Sequence, residues 1–205
     1  MQRIYSNTIS TSGLTLVEAL VVVALFTLLM GVIMMSVVHF YSFNAYTLAQ
    51  AYQVQDARRG LERLVRDVRE MTFADDGTFP LARMEEHLVG FYSDIDRDDS
   101  VEYVEYEVDG LLLEKRVYNA TGSPPVYNTS PDEMYTLSEH VQNSIQDVST
   151  FRYYDAYGAL ATATSTVTDI RYIEAEIIVN IDPVRDPGEF TLKSSAALRN
   201  LTEGF

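Results

Sequence analysis

The feature that most constrains this fold is an uncharged apolar run over residues 19–38, headed by a single acidic residue, Glu18. An α-helix rises about 1.5 Å per residue, so about twenty residues cover the roughly 30 Å hydrocarbon core of a bilayer. A carboxylate at membrane depth costs about 2.5 to 3.5 kcal/mol on insertion scales and is by default a hypothesis about function. We therefore expect a transmembrane helix in which Glu18 has a specific partner.

A cleaved secretory signal peptide is the main alternative for this run. The apolar core of such a peptide usually has only about 7 to 15 residues, and a small-residue cleavage site follows it. Here the run is longer, and residues 38–41 (Val-His-Phe-Tyr) lead directly into a segment that still has a helical pattern. We expect the chain to keep this helix as its anchor.

The residues before the run carry a recognisable motif. Residues 13–18 read Gly-Leu-Thr-Leu-Val-Glu, which closely resembles the class III signal of type IV prepilins and of the pseudopilins of type II secretion systems. The resemblance implies cleavage after Gly13 by a prepilin peptidase, N-methylation of the new amino terminus at Leu14, and assembly into a filament. Two features depart from the family pattern: Arg3 is the only basic residue of the leader, and Leu14 replaces the usual Phe.

Cleavage would give Glu18 a candidate partner. The new amine at Leu14 and the carboxylate of Glu18 are four residues apart, about one helical turn, and each charge needs a counter-ion in a poor solvent. The resemblance implies that Glu18 pairs with the amine of a neighbouring subunit, and that the chain is not the tip pseudopilin, which typically lacks this glutamate. The alternative is that Glu18 lies among lipid headgroups and is solvated by water.

The helical pattern continues to about residue 71 and becomes amphipathic. Charged residues cover the other faces, and one apolar stripe recurs at spacings of three and four: Leu61, Leu64, Val65, Val68 and Met71. By rise alone, a helix over residues 14–72 would measure about 90 Å. We predict four segments: a leader (1–13), a membrane and assembly half of the helix (14–40), an amphipathic half (41–72), and an extracytoplasmic domain (73–205).

Beyond residue 77 the periodicity changes from helical to alternating. Residues 101–108 and 111–118 flank Asp109-Gly110, a strong signal for a two-residue hairpin turn. Further strands are predicted over residues 87–93, 148–155, 167–181 and 189–198. The predicted fold is α+β and pilin-like, with a long N-terminal helix packed on one antiparallel sheet. Residues 91–98 with the hairpin, and residues 194–201, also resemble minor pseudopilins and the J-type component of type II secretion.

Charge and cysteine content limit the possible functions of the domain. Residues 73–205 contain 25 acidic residues against nine basic ones, and the chain contains no cysteine. Such a surface repels nucleic acid and anionic lipid, so we expect no nucleic-acid partner. The absence of cysteine excludes both a disulfide framework and a thiol site.

A candidate calcium loop follows the predicted strand at residues 87–93. Asp94, Asp96, Asp98 and Ser100 alternate, and Glu105 is the twelfth residue counted from Asp94, as in a calcium-binding loop. A calcium-binding loop of this kind has glycine at its sixth position and is followed by a helix. Here the sixth position is Asp99 and a strand is predicted to follow, so Asp99 or Glu102 are alternatives to Glu105 as oxygen donors. An acidic solvated loop without metal is the other interpretation.

Catalysis has no support in the sequence. His39, His87 and His140 are scattered, and no nucleophile elbow, phosphate loop or metalloprotease motif is present. Two functions therefore remain. One is a minor pseudopilin or minor pilin, and the other is a membrane-tethered extracytoplasmic binding module, with or without calcium dependence, that uses a pilin-like helix only as an anchor. The first implies other pilin subunits, prepilin peptidase, an assembly platform with its ATPase, and the bilayer as partners. The resemblance also implies a cytoplasmic leader, an extracytoplasmic domain and single-pass insertion in a bacterial cytoplasmic membrane before assembly into a filament.

Overall fold

The computed structural model describes residue 13 and residues 15–98, 100–162, 165–185 and 187–198. The leader residues 1–12, the predicted new amino terminus at Leu14, and Asp99 lie outside the described residues. Contacts divide the chain into two compact units, Met1–Tyr46 and Thr47–Phe205.

One long helix, α1 (Leu16–Arg69), contributes to both units. Its first part contains a stretch that is long and apolar enough to cross a membrane by length and composition. Every residue from 15 to 45 is exposed, including the large apolar side chains of the run. An apolar surface of this extent requires a covering environment, either lipid or protein.

The second unit contains, among its described residues, ten strands and two short helical segments. The strands are β1 (Leu81–Met84), β2 (Leu88–Ser93), β3 (Glu102–Asp109), β4 (Leu112–Tyr118), β5 (Ala120–Thr121), β6 (Val126–Tyr127), β7 (Glu133–Ser138), β8 (Phe151–Asp155), β9 (Ile170–Val179) and β10 (Phe190–Ala197). The helical segments are α2 (Asn143–Gln146) and a 3₁₀ turn (Val167–Asp169). These elements confirm the predicted α+β layout.

The strands form two main antiparallel sheets, where the sequence predicted one. The larger sheet has the order β1-β2-β3-β4-β7, the smaller one β10-β9-β8, and β5 and β6 form a separate ribbon. The hairpin between β3 and β4 is present. Its register pairs Asp109 with Leu112, so the two connecting residues are Gly110 and Leu111, one position later than predicted. Gly110 has a positive φ of 58°, which suits a residue without Cβ.

The predicted apolar stripe of α1 forms one wall of the core. Leu61, Leu64, Val68 and Met71 are buried, and Val65 is half-buried. The same hydrophobic cluster includes inward residues of both sheets, among them Phe91, Val104, Tyr106, Ile173 and Ile177. The helix ends at Arg69, three residues earlier than predicted, and the backbone N–H of Thr72 donates instead to Tyr92 O on β2 at 2.9 Å.

Candidate functional site

Glu18 lies in the first turn of α1, where its backbone N–H donates to Thr15 Oγ1 at 3.3 Å. The other polar side chains of the run bond within the helix, since Thr27 Oγ1 donates to Ala24 O and Ser36 Oγ to Val32 O, both at 2.9 Å. Within the described part of the chain, no hydrogen bond or ion pair reaches the Glu18 carboxylate. The Glu18 carboxylate, at the head of the apolar run, is therefore left to pair with a group from outside the chain.

The processing residues are described only in part. Gly13 is exposed, and no atom would lie within 4 Å of a Cβ added to it. The predicted partner amine at Leu14 lies outside the described residues, so the predicted pairing with Glu18 remains a prediction.

The acidic loop between β2 and β3 brings three carboxylates together. Oxygen atoms of Asp94, Asp96 and Glu102 all lie within 4.8 Å of one another. Calcium binds oxygen ligands at about 2.3 to 2.6 Å, so two ligands of one ion are separated by up to about 5 Å. The spacing of this cluster is thus compatible with a single cation.

The same carboxylates also hold the loop in shape. Asp94 Oδ1 accepts the N–H of Arg97 at 2.7 Å, and Asp96 Oδ1 accepts the N–H of Asp98 at 3.2 Å. Asp98 Oδ1 in turn accepts the N–H of Ser100 at 2.9 Å. These bonds are also compatible with the alternative that the sequence left open, an acidic solvated loop, so the choice between the two interpretations stays a prediction.

The predicted ligand Glu105 is not part of this cluster. Its carboxylate accepts hydrogen bonds from Arg83 at 2.8 Å, Tyr103 at 2.8 Å and Tyr118 at 3.0 Å. Residues at odd separation on a strand point to opposite faces of a sheet, so Glu105 and Glu102 of β3 cannot share a site. Glu105 was predicted as a ligand from its spacing along the loop. The alternation of side chains along β3 directs Glu102 to the cluster instead. Neither Asp98 nor Ser100 is in the close group of three.

Burial distinguishes Glu102 from the other acids of the loop. This residue is only 3% exposed, and its Oε2 accepts the N–H of Ile95 at 2.9 Å. Burial raises the pKa of Glu102 to about 7, and the charges of Asp96, Asp94 and Asp98 act in the same direction, while the bond from Ile95 opposes them. The sequence contains a signal for the burial of Glu102. Residues 101–108 alternate, and this alternation places Glu102 on the same side of the strand as the buried Val104.

A buried ion pair joins α1 to the larger sheet. Asp67 Oδ2 accepts hydrogen bonds from Lys115 Nζ at 2.5 Å and from Tyr106 Oη at 2.6 Å. Lys115 is 1% exposed and Asp67 7%. Burial lowers the pKa of Lys115, although Asp67 opposes the shift. Sequence reasoning missed this pair, because Lys115 falls in an alternating strand where charged residues usually face solvent.

No protein-family model matches the chain, and a search of curated proteins finds no match either.

Proposed function

We propose that this chain is a structural subunit of a filament, a minor pseudopilin of a type II secretion system or a minor type IV pilin. The observation that carries the proposal is Glu18, a carboxylate without an internal partner among the described residues, at the head of an exposed apolar helix. The same helix continues into a unit where it packs on antiparallel sheets. This layout fits the resemblance of residues 13–18 to the prepilin signal.

In the proposed function, prepilin peptidase cleaves after Gly13 and the new amine of Leu14 is methylated. The apolar part of α1 then holds the subunit in the bilayer until an assembly platform and its ATPase transfer it into the filament. There Glu18 pairs with the amine of a neighbouring subunit, which neutralises both charges and fixes the axial register. The acidic sheet domain contacts other subunits on the extracytoplasmic side.

The first test is the mass of the mature protein. The proposal predicts an amino terminus at Leu14 with one added methyl group, measured by intact mass and N-terminal sequencing of protein from membranes. Co-expression with an inactive prepilin peptidase should leave Met1 in place. A mature chain that still begins at Met1 in the presence of active peptidase would contradict filament assembly.

The second test concerns Glu18 itself. Glu18→Leu should still insert in the membrane but lose incorporation into sheared filaments by at least about tenfold, since an unpaired amine would be left in an apolar contact. Ser36→Ala is a matched control, because it changes a polar side chain of the same run that already bonds within its own helix. Normal incorporation of Glu18→Leu would contradict the pairing.

A second candidate is a membrane-tethered extracytoplasmic module that binds calcium. The close grouping of Asp94, Asp96 and Glu102 favours it. This function predicts an uncleaved chain and a melting temperature that rises with calcium at fixed ionic strength and neutral pH. A melting temperature that neither calcium nor a chelator changes would exclude a structural calcium ion.

A further inference from the structure

A groove lies between the C-terminal part of α1 and strand β10. It has a volume of about 440 Å³. Its lining residues come from the last turns of the helix, from the residue after the helix and from the strand: Glu62, Val65, Arg66, Arg69, Glu70 and Ser194. Val65 is half-buried and adds apolar surface to an otherwise polar lining.

The charges of this groove are unevenly satisfied. Glu62 pairs with Arg58 at 3.1 Å and Glu70 with Arg97 at 3.6 Å. Both Arg66 and Arg69 are exposed, and in the described ranges neither side chain forms a hydrogen bond or an ion pair. These arginines are three residues apart, so they project from the same side of the helix.

The unpaired arginines are unusual for a chain with this charge balance. The formal net charge is −15, and acidic side chains outnumber basic ones by 30 to 15. Acidic partners are therefore abundant in the chain, yet no described carboxylate lies within ion-pair distance of Arg66 or Arg69. The two guanidinium groups remain available to a carboxylate from outside.

The strand beside these arginines has a free edge. In the described sheet β10 pairs only with β9, so one edge of its eight residues has no neighbouring strand. Edge strands are commonly protected by a lysine. Here Lys193 is directed across the sheet, where its Nζ lies 3.0 Å from Glu176 Oε2 on β9. Among the described residues, no hydrogen bond is formed to the backbone groups of this edge, which could therefore pair with an added strand.

We propose that this groove docks an extended acidic segment of a partner chain, which adds a strand to β10 and places carboxylates on Arg66 and Arg69. Backbone hydrogen bonds to a sheet edge would supply affinity, as in other cases of strand addition. Bidentate bonds from arginine to carboxylate would supply selectivity for acidic side chains. The proposal concerns the second unit alone and holds whether the chain assembles into a filament or is only tethered.

The test uses the full chain in a zwitterionic detergent and a fluorescent octapeptide of alternating Glu and Thr. Fluorescence anisotropy should show saturable binding that weakens at least about tenfold in Arg66→Ala/Arg69→Ala, because two charge-assisted contacts are lost. Arg59→Ala/Arg63→Ala removes the same charge from α1 at positions that neither line the groove nor pair with its carboxylates, and it should change affinity less than about twofold. Circular dichroism melts of all variants confirm that they are folded.

Two further probes separate strand addition from simple charge attraction. An octapeptide of the same sequence with N-methyl groups on all its backbone nitrogens, which blocks both of its edges, should lose most of its binding. An octapeptide of alternating Lys and Thr should not bind. Equal binding of the methylated and unmethylated acidic peptides would overturn strand addition. Equal loss in the two arginine double variants, or no binding of the acidic peptide to the unmodified chain, would overturn the groove as the site.

Discussion

At Gly90, in the larger sheet, the side chain of a neighbouring strand packs directly against the backbone. Gly90 lies on β2 opposite Glu105, and the Tyr103 hydroxyl occupies the space where a side chain would begin. That hydroxyl also donates to Glu105 at 2.8 Å and belongs to a group of contacting rings. The ring contacts join Tyr92, Tyr103, Tyr118 and Tyr127.

We predict that Gly90→Ala destabilises the protein by about 1 to 3 kcal/mol, because the added Cβ displaces Tyr103 and also lies 3.2 Å from Arg83 Cβ. Chemical denaturation measures the change in the free energy of unfolding. Gly188→Ala is the control, since a Cβ added there would meet no atom within 4 Å, and it should change stability by less than about 0.5 kcal/mol. Equal stability of the two variants would contradict this packing.

Glu102 makes stability depend on pH in a particular direction. Burial and the neighbouring aspartates raise its pKa to about 7 from 4.5, so the folded state holds this proton more tightly than the unfolded state does. The stability that this tighter proton binding gives to the folded state is fully present below about pH 4.5 and is lost as the pH rises to about 7.

We therefore expect Glu102→Gln to become more stable relative to the unmodified protein as the pH rises from 4.5 to 7, by roughly 2 kcal/mol in all. Unfolding free energies are measured across this range with a chelator present. Gly188→Ala, which removes and adds no ionisable group, is the control and should show no such trend. A constant difference between Glu102→Gln and the unmodified protein would contradict the shift.

At the level of secondary-structure elements, the contact between α1 and the larger sheet includes the buried ion pair of Asp67 and Lys115 beside the apolar packing. Removing one partner of a buried pair leaves an uncompensated charge and costs about 3 to 5 kcal/mol, whereas removing both costs much less. Exposed pairs contribute about 0 to 1 kcal/mol. The pair thus penalises any packing of the helix in which these two residues do not meet.

We predict that Lys115→Met destabilises the protein by about 3 to 5 kcal/mol and that Asp67→Asn/Lys115→Met recovers most of this loss. The asparagine keeps an acceptor for the Tyr106 hydroxyl, which donates to Asp67 at 2.6 Å. Arg58→Met is the matched control. Arg58 and Glu62 form a pair whose side chains are 74% and 63% exposed, so this variant should change the free energy of unfolding by only about 0 to 1 kcal/mol. If the double variant is as unstable as Lys115→Met, packing rather than charge explains the loss.

In the molecule as a whole, the buried hydrophobic cluster formed by the described residues lies within the second unit, and Tyr46 at the end of the first unit is also buried. The buried cluster begins at Ala57 and ends at Leu198, and the second compact unit begins at Thr47. The first unit has an exposed apolar surface throughout residues 15–45. Folding of the second unit should therefore not require the apolar half of α1.

We predict that a chain starting at Thr47 is soluble without detergent and melts cooperatively, because it retains the entire buried cluster. Its melting temperature should lie within a few degrees of that of the full chain, measured by circular dichroism in the same detergent. Aggregation or a non-cooperative melt would show that the apolar half contributes to the core.

Local periodicity predicted much of the fold from the sequence. The stripe of Leu61, Leu64, Val68 and Met71 follows from helical spacing, and the β3–β4 hairpin follows from alternation around a glycine turn. The division into two sheets was missed, because strand order depends on contacts between residues far apart in the chain. Short exposed strands such as β7 have no distinctive pattern and were also missed.

Three features can be read without any structure: the apolar run, the prepilin-like motif around Glu18 and the excess of negative charge, since each is a property of consecutive residues or of composition. Which carboxylates meet depends instead on the folded chain. Register and sheet face place Glu102, rather than Glu105, beside Asp94 and Asp96, because residues at odd separation on a strand point to opposite sides. Long-range packing likewise brings Lys115 to Asp67 across 48 positions of the chain, a contact that no local pattern encodes.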